Sequence, residues 1–285
     1  MRSFAAFICL AILVAYPAGA AERTQLQHLE QRLTTMAIDN PGEYGLAALD
    51  LETGTIVGFN DNELFPMAST VKVAIAAKFL SEVDAGNRSL ADKVGGVAAS
   101  KLIDLMITRS DNHATDLLLA ALGGPATVNN WLHAHNLTGM RVDRTIAQLL
   151  RDRRDLRDVR DSTTPTAMLQ LLRMIDSGGL LRAESRTLLL DTMSRCITGT
   201  NRIRALLPPG TRVEHKTGTL AGYTGDVGFV TLPSGRRIAV ALFGRGGVNR
   251  PAVLATAARA IYDAFGSDPD PTASDGAAAP TPTVM

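Results

Sequence analysis

Apolar positions in this chain follow two periods. Leu26, Leu29, Leu33 and Met36 recur at three and four residues, which predicts an amphipathic helix near the start. Gly45 to Asp50 and Gly54 to Asn60 read as two strands, with Glu52-Thr53-Gly54 as the turn between them. From about Ser69 to Ser194 the helical period dominates, in long Leu, Ala and Met runs. The pattern then returns to strands over Arg212 to Lys216, Thr224 to Leu232 and Arg236 to Phe243, with Pro233-Ser234-Gly235 turning between the last two. Val253, Leu254, Ala257, Ala258, Ile261 and Phe265 predict a closing helix. This order predicts an α/β (α+β) fold. Both ends of the chain share one antiparallel sheet flanked by terminal helices, and an all-helical lobe is inserted between them.

The two ends of the chain read differently. Met1-Arg2, the apolar run Phe4 to Val14 and Pro17-Ala18-Gly19-Ala20 form a secretory signal peptide cut after Ala20. The run is too short to span a bilayer, so no stable membrane anchor is expected. The expected layout is a signal peptide over 1–20, a catalytic domain over 21–265 and a disordered tail over 266–285. Within the domain, 21–66 and 195–265 would form the α/β lobe and 67–194 the helical lobe. A secreted or periplasmic monomer follows. Cys9 leaves with the leader, so Cys196 cannot form an internal disulfide, and it reads as a buried small hydrophobe. The net charge of +1 and the absence of basic runs interleaved with aromatics argue against a nucleic-acid partner. The Arg-rich stretch 151–160 neutralises itself through Asp152, Asp155 and Asp158. His133 and His135 lie two apart on a helix and do not face one site, so no metal and no cofactor are expected.

Ser69-Thr70-Val71-Lys72 opens an apolar helix, which puts the lysine amine on the same face as the serine hydroxyl. A lysine of lowered pKa can take the proton of a serine nucleophile, and a helix start supplies N–H groups to an oxyanion. Alone, this S-x-x-K pattern is expected by chance about once in such a chain, as a helix cap with a solvated lysine. Two further strings change the odds. Ser110-Asp111-Asn112 lies in a stretch read as one helix from Leu102 to Leu122, where these residues compete with the backbone. Lys216-Thr217-Gly218-Thr219 ends a strand. Finding both tripeptides, in order after S-x-x-K, has a chance probability on the order of a thousandth.

With these three motifs the chain resembles the class A β-lactamases. The strings Ser110 to Leu119, Gly123-Gly124-Pro125 and Asp161 to Pro165 resemble that family's S-D-N helix, helix end and omega-loop close. The resemblance implies that Ser69 is acylated by a β-lactam or peptidoglycan-like small molecule, with Lys72 and Ser110 moving protons. It implies that Asn112 binds the substrate amide, and that Lys216, Thr217, Thr219 and Arg202 hold its carboxylate. Backbone N–H groups of Ser69 and Thr219 would form the oxyanion hole. Arg144 and Asp161 would pair to shape the omega loop.

The same resemblance exposes departures. Where the family carries D-R-x-E-x-x-L-N, this chain has Asp143-Arg144-Thr145-Ile146-Ala147-Gln148-Leu149-Leu150. Ile146 stands at the position of the water-activating Glu and Leu150 at that of the Asn. Counting back from Asp161 puts Gln148 at the base position instead. The stretch from Ser69 to Ser110 is shorter than the family's, so a more open site is expected. Three readings follow: a β-lactamase with another water-activating group, a D,D-peptidase-like enzyme that deacylates slowly, and a periplasmic binding or sensor protein without turnover.

Overall fold

A computed structural model describes residues 18–153 and 155–266. Most of the expected leader and the tail beyond residue 266 lie outside the described residues. In chain order the elements are α1 (Ala18–Asp39), β1 (Glu43–Asp50), β2 (Ile56–Phe59), β3 (Phe65–Pro66), a 3-10 turn (Ala68–Val71), α2 (Lys72–Asp84), β4 (Lys93–Val94), β5 (Val97–Ala98), α3 (Ala99–Thr108), α4 (Asn112–Ala121), α5 (Pro125–Ala134), α6 (Ile146–Arg151), β6 (Ser162–Thr163), α7 (Pro165–Asp176), α8 (Ala183–Ser194), a second 3-10 turn (Ile203–Leu206), β7 (Val213–Leu220), β8 (Tyr223–Thr231), β9 (Arg237–Arg245) and α9 (Arg250–Gly266).

One five-stranded antiparallel sheet, ordered β2-β1-β9-β8-β7, joins the two ends of the sequence. Leu46 pairs with Leu242 and Glu43 with Arg245, so β1 threads beside β9 although most of the chain separates them. The alternating strand positions feed two apolar layers. Leu46, Ala48, Val240 and Leu242 pack with Leu29 and Leu33 of α1 and Leu254 and Ile261 of α9. Ala47, Leu49, Ala239, Ala241 and Phe243 face the helical part, where α2 is buried from Lys72 to Leu80. A helix buried on all sides over its first nine residues is the hub of that part, which explains its Val-Ala-Ile-Ala-Ala run.

One expectation fails. Leu102 to Leu122 is not one helix: α3 stops at Thr108 and α4 restarts at Asn112. Ser110 sits between them at φ +57°, and Asp111 caps α4 by accepting from the Ala114 N–H at 2.7 Å. The residues that disfavour a helix interior form the break and the cap. The K-T-G strand also runs further than expected, to Leu220.

Candidate active site

The 3-10 turn, the α3–α4 break and β7 meet at one place. Ser69 is half-buried at the head of α2, preceded by Ala68 at φ +47°, a left-handed backbone that strains an alanine. Gly218 explains the close approach of β7: a Cβ there would lie 2.7 Å from the Met67 carbonyl oxygen and 3.2 Å from the Ala68 Cβ. Only glycine lets the strand lie against the serine turn.

Lys72 is fully buried, and its ammonium is held by backbone and side-chain groups of the S-D-N break. Nζ donates to the Ser110 carbonyl at 2.6 Å, to Asn112 Oδ1 at 2.8 Å and to Ser110 Oγ at 3.2 Å. Desolvation, then the charge of Lys216, bring its pKa down to about 7. Lys216 is buried too and donates to the Thr217 carbonyl at 2.9 Å; burial brings its pKa down to about 8. Two amines of lowered pKa therefore lie near one another, one of them bonded to Ser110.

Arg202 lies against the same strand. Its Nη1 donates to the carbonyls of Gly218 (3.0 Å) and Gly225 (2.7 Å), and its Nη2 to Thr219 Oγ1 (2.6 Å). The guanidinium thus fixes Thr219 as an acceptor, which leaves that hydroxyl's own proton free for the cleft. Thr219 and Asn112 are exposed, whereas Thr217 is nearly buried. Burial lowers the Arg202 pKa, in a site that holds positive charge at a cost.

The omega loop is tied at its neck. Arg144 Nε donates to Asp161 Oδ2 at 2.6 Å, while Asp161 Oδ1 accepts from the backbone of Asp143 (2.7 Å) and Arg144 (3.0 Å). The Asp161 carbonyl accepts from Met67 N–H at 2.9 Å, and β3 pairs with β6, so the neck is stitched to the serine turn. Arg144 also binds Asp152 at 2.8 Å.

The sequence reading passed over Asp116. Its carboxylate accepts from the N–H groups of Ile146 (2.7 Å) and Ala147 (2.9 Å) and so pins the start of α6. A lone acid among the apolar residues of α4 was the available signal. Ile146, held there, packs into the helical core at 6% exposure, but Leu150 is half-exposed and does not face the cavity. That corrects the expectation that Leu150 shares a site with Ile146. The helix ends one residue later, at Arg151, with Leu150 and Arg151 exposed. Leu149 instead lines a cavity with Ala68, Leu220 and the charged groups of Arg144, Asp155 and Asp158. Gln148 is spent on a capping box with Thr145, accepting from its N–H at 2.9 Å.

This geometry can be set beside known proteins. The model of the β-lactamase enzyme family matches residues 28–265. The chain belongs to the β-lactamase family. VEB-1 β-lactamase of Pseudomonas aeruginosa is 28% identical to this family member, over 83% of this chain and 88% of its own. The extended-spectrum β-lactamase PER-1 of the same organism is 27% identical, over 75% and 79%. An ancestral class A β-lactamase superposes with a TM-score of 0.79 at 32% identity, covering 83% of this chain and 100% of that one. A β-lactamase from Chitinophaga pinensis superposes equally well, at 29% identity over 84% and 99%. The mixed sheet-and-helix architecture of this β-lactamase family member is the class A fold.

Cys196 is buried, as expected, but it is not an inert hydrophobe. It lies 3.3 Å from Thr198 Oγ1, beside a buried His215–Asp226 pair that the sequence reading did not use.

Proposed function

We propose that this protein is a secreted or periplasmic serine hydrolase that opens β-lactam rings through an acyl ester on Ser69. The observation that carries the reading is the convergence of Lys72 Nζ, from the helix that follows the serine turn, on Ser110 and Asn112. A neutral Lys72 amine takes the Ser69 proton, and Ser69 Oγ attacks the lactam carbonyl. The N–H groups of Ser69 and Thr219 receive the oxyanion. Ser110 Oγ, in contact with Lys72, delivers a proton to the ring nitrogen as the C–N bond breaks. Lys216, Thr217, Thr219 and Arg202 hold the substrate carboxylate, and Asn112 its side-chain amide. Arg144 and Asp161 keep the loop folded over the site.

A second reading concerns rate, and Ile146 favours it. The base position is a hydrocarbon packed into the core, so the acyl ester would persist as in a slowly deacylating D,D-peptidase-like enzyme. Intact-mass spectrometry with a penicillin tests both. An adduct should form on the parent and not on Ser69→Ala, and its decay separates rapid hydrolysis from a stable ester. A folded parent that takes no adduct would sink acylation altogether.

A further inference from the structure

Beneath the K-T-G strand lies a cluster that the reaction as described does not use. His215 and Asp226 are fully buried on neighbouring strands, and His215 Nδ1 donates to Asp226 at 2.8 Å. His215 Nε2 is buried without a well-aligned acceptor among the described residues, and the thiol of Cys196 is the group it faces. From Cys196 the contacts run outward: Sγ to Thr198 Oγ1 at 3.3 Å, then Thr198 Oγ1 to Thr217 Oγ1 at 2.6 Å. Gly199 makes that last contact possible, since a Cβ there would lie 2.4 Å from Thr217 Cγ2. The charged groups around the thiol are His215 and Lys216 on β7, Asp226 on β8 acting through His215, and Arg202 before the second 3-10 turn.

A hydroxyl has one proton to give. If sulfur is a thiolate it accepts from Thr198. Thr198 must then accept from Thr217, and Thr217 presents only lone pairs to the cleft. If sulfur is protonated while His215 keeps its own proton, the S–H can donate to Thr198. The pair then turns over, and the Thr217 proton faces the cleft. We propose that Cys196 is a positioning residue that sets which way the Thr198–Thr217 pair donates, and so how firmly Thr217 holds the substrate carboxylate. The proposal rests on the reading above that Thr217 meets that carboxylate. Thr219, locked by Arg202, has no such freedom.

The electrostatics place the change in a measurable range. Burial pushes the Cys196 thiol up, but the His215 hydrogen bond and charge, with Thr198 and Lys216, bring its pKa down to about 6. Burial opposes charge on His215, yet Asp226 and Cys196 carry its pKa up to about 9. Between those values the pair is thiolate and imidazolium. Below about 6 sulfur takes a proton from solvent and the hydroxyl pair turns over.

The far-ultraviolet thiolate absorbance of the full chain, minus that of Cys196→Ser, reads this one sulfur. It should titrate near pH 6, not near the ordinary value of about 8.5. In a Ser69→Ala background, which cannot react, the Kd of a penicillin should rise about tenfold from about pH 5 to about pH 7.5, the size of one charge-assisted hydrogen bond. Thr198→Val should remove the part of the rise centred near pH 6 and leave the thiolate signal, keeping only the weakening at higher pH as Lys72 and Lys216 lose their charge, and Thr198→Ser should restore the part removed. No thiolate below about pH 8 overturns the proposal, as does an unchanged pH dependence in Thr198→Val. If Thr217→Val leaves Kd unaltered at every pH, the carboxylate reading of Thr217 falls and takes this coupling with it, while the thiolate titration still stands.

Discussion

The two walls of the cleft have been treated differently. On the wall made by the serine turn, the S-D-N break and β7, all three motifs are present, and two buried lysines lie among them. Lys72 and Lys216 are buried with lowered pKa values, and Ser110 bridges to Lys72. On the omega-loop wall the scaffold survives without its chemistry. Arg144–Asp161 and the Asp116 anchor hold the loop and α6 in place, yet Ile146 stands where a carboxylate is expected. The contrast shows that a loop's fold and its catalytic group are separable. The ion pair uses the Arg144 and Asp161 side chains and the helix anchor uses backbone donors, so neither draws on the side chain at position 146.

The largest expected effect lies on the first wall. Lys72→Ala should slow acylation by about a hundred- to ten-thousand-fold, the range for a lost general base. In the parent, the acylation rate should climb as pH rises through about 7, because the neutral amine is the active form. Stopped-flow acylation across pH checks both, and a flat profile would remove Lys72 from the proton path.

The second test turns the damaged wall into the complete one. Ile146→Glu should speed breakdown of the acyl-enzyme by about ten- to a thousand-fold. It should also lower Tm, since a carboxylate replaces a core side chain next to Asp116. Gln148→Glu is the comparison, because Gln148 belongs to a capping box and points to solvent. Acceleration by Gln148→Glu and not by Ile146→Glu would reverse the register. If neither accelerates, Asp155, which lines the cavity beside Ala68, becomes the carboxylate to mutate.

The smallest effect returns to the first wall. Arg202→Ala should raise KM for a carboxylate-bearing substrate by about tenfold, with less change in kcat, because a fixed cation contributes uniform binding. Some of that rise comes through Thr219, whose hydroxyl Arg202 orients. Steady-state kinetics decide it, and an unchanged KM counts against Arg202.

Much of this was legible in the chain itself. Hydrophobic period marked the strands at both ends and the helices between them, because burial of one face writes itself into the spacing of apolar residues. The three motifs named the serine, both lysines and the S-D-N serine, because their chemistry requires particular side chains at fixed spacing. The resemblance pointed to Arg202, whose guanidinium bonds to β7. The break at Ser110 was misread as helix, since local propensity flags discomfort there but not the left-handed turn that resolves it.

What only the tertiary structure decided are relations between residues far apart in sequence. Asp116 reaches Ile146 across thirty positions, Met67 binds the Asp161 carbonyl, and β1 lies beside β9. Cys196, read from the sequence as a buried small hydrophobe, has His215 and Asp226 near it, on strands it does not neighbour in the chain. Such pairings leave no periodic trace, because a buried charge needs one partner at one distance and any segment of the chain can supply it. That Leu149 and not Leu150 meets the cavity likewise depended on how α6 packs. The sequence determined which groups are available for chemistry; packing determined which of them lie within hydrogen-bond reach of one another.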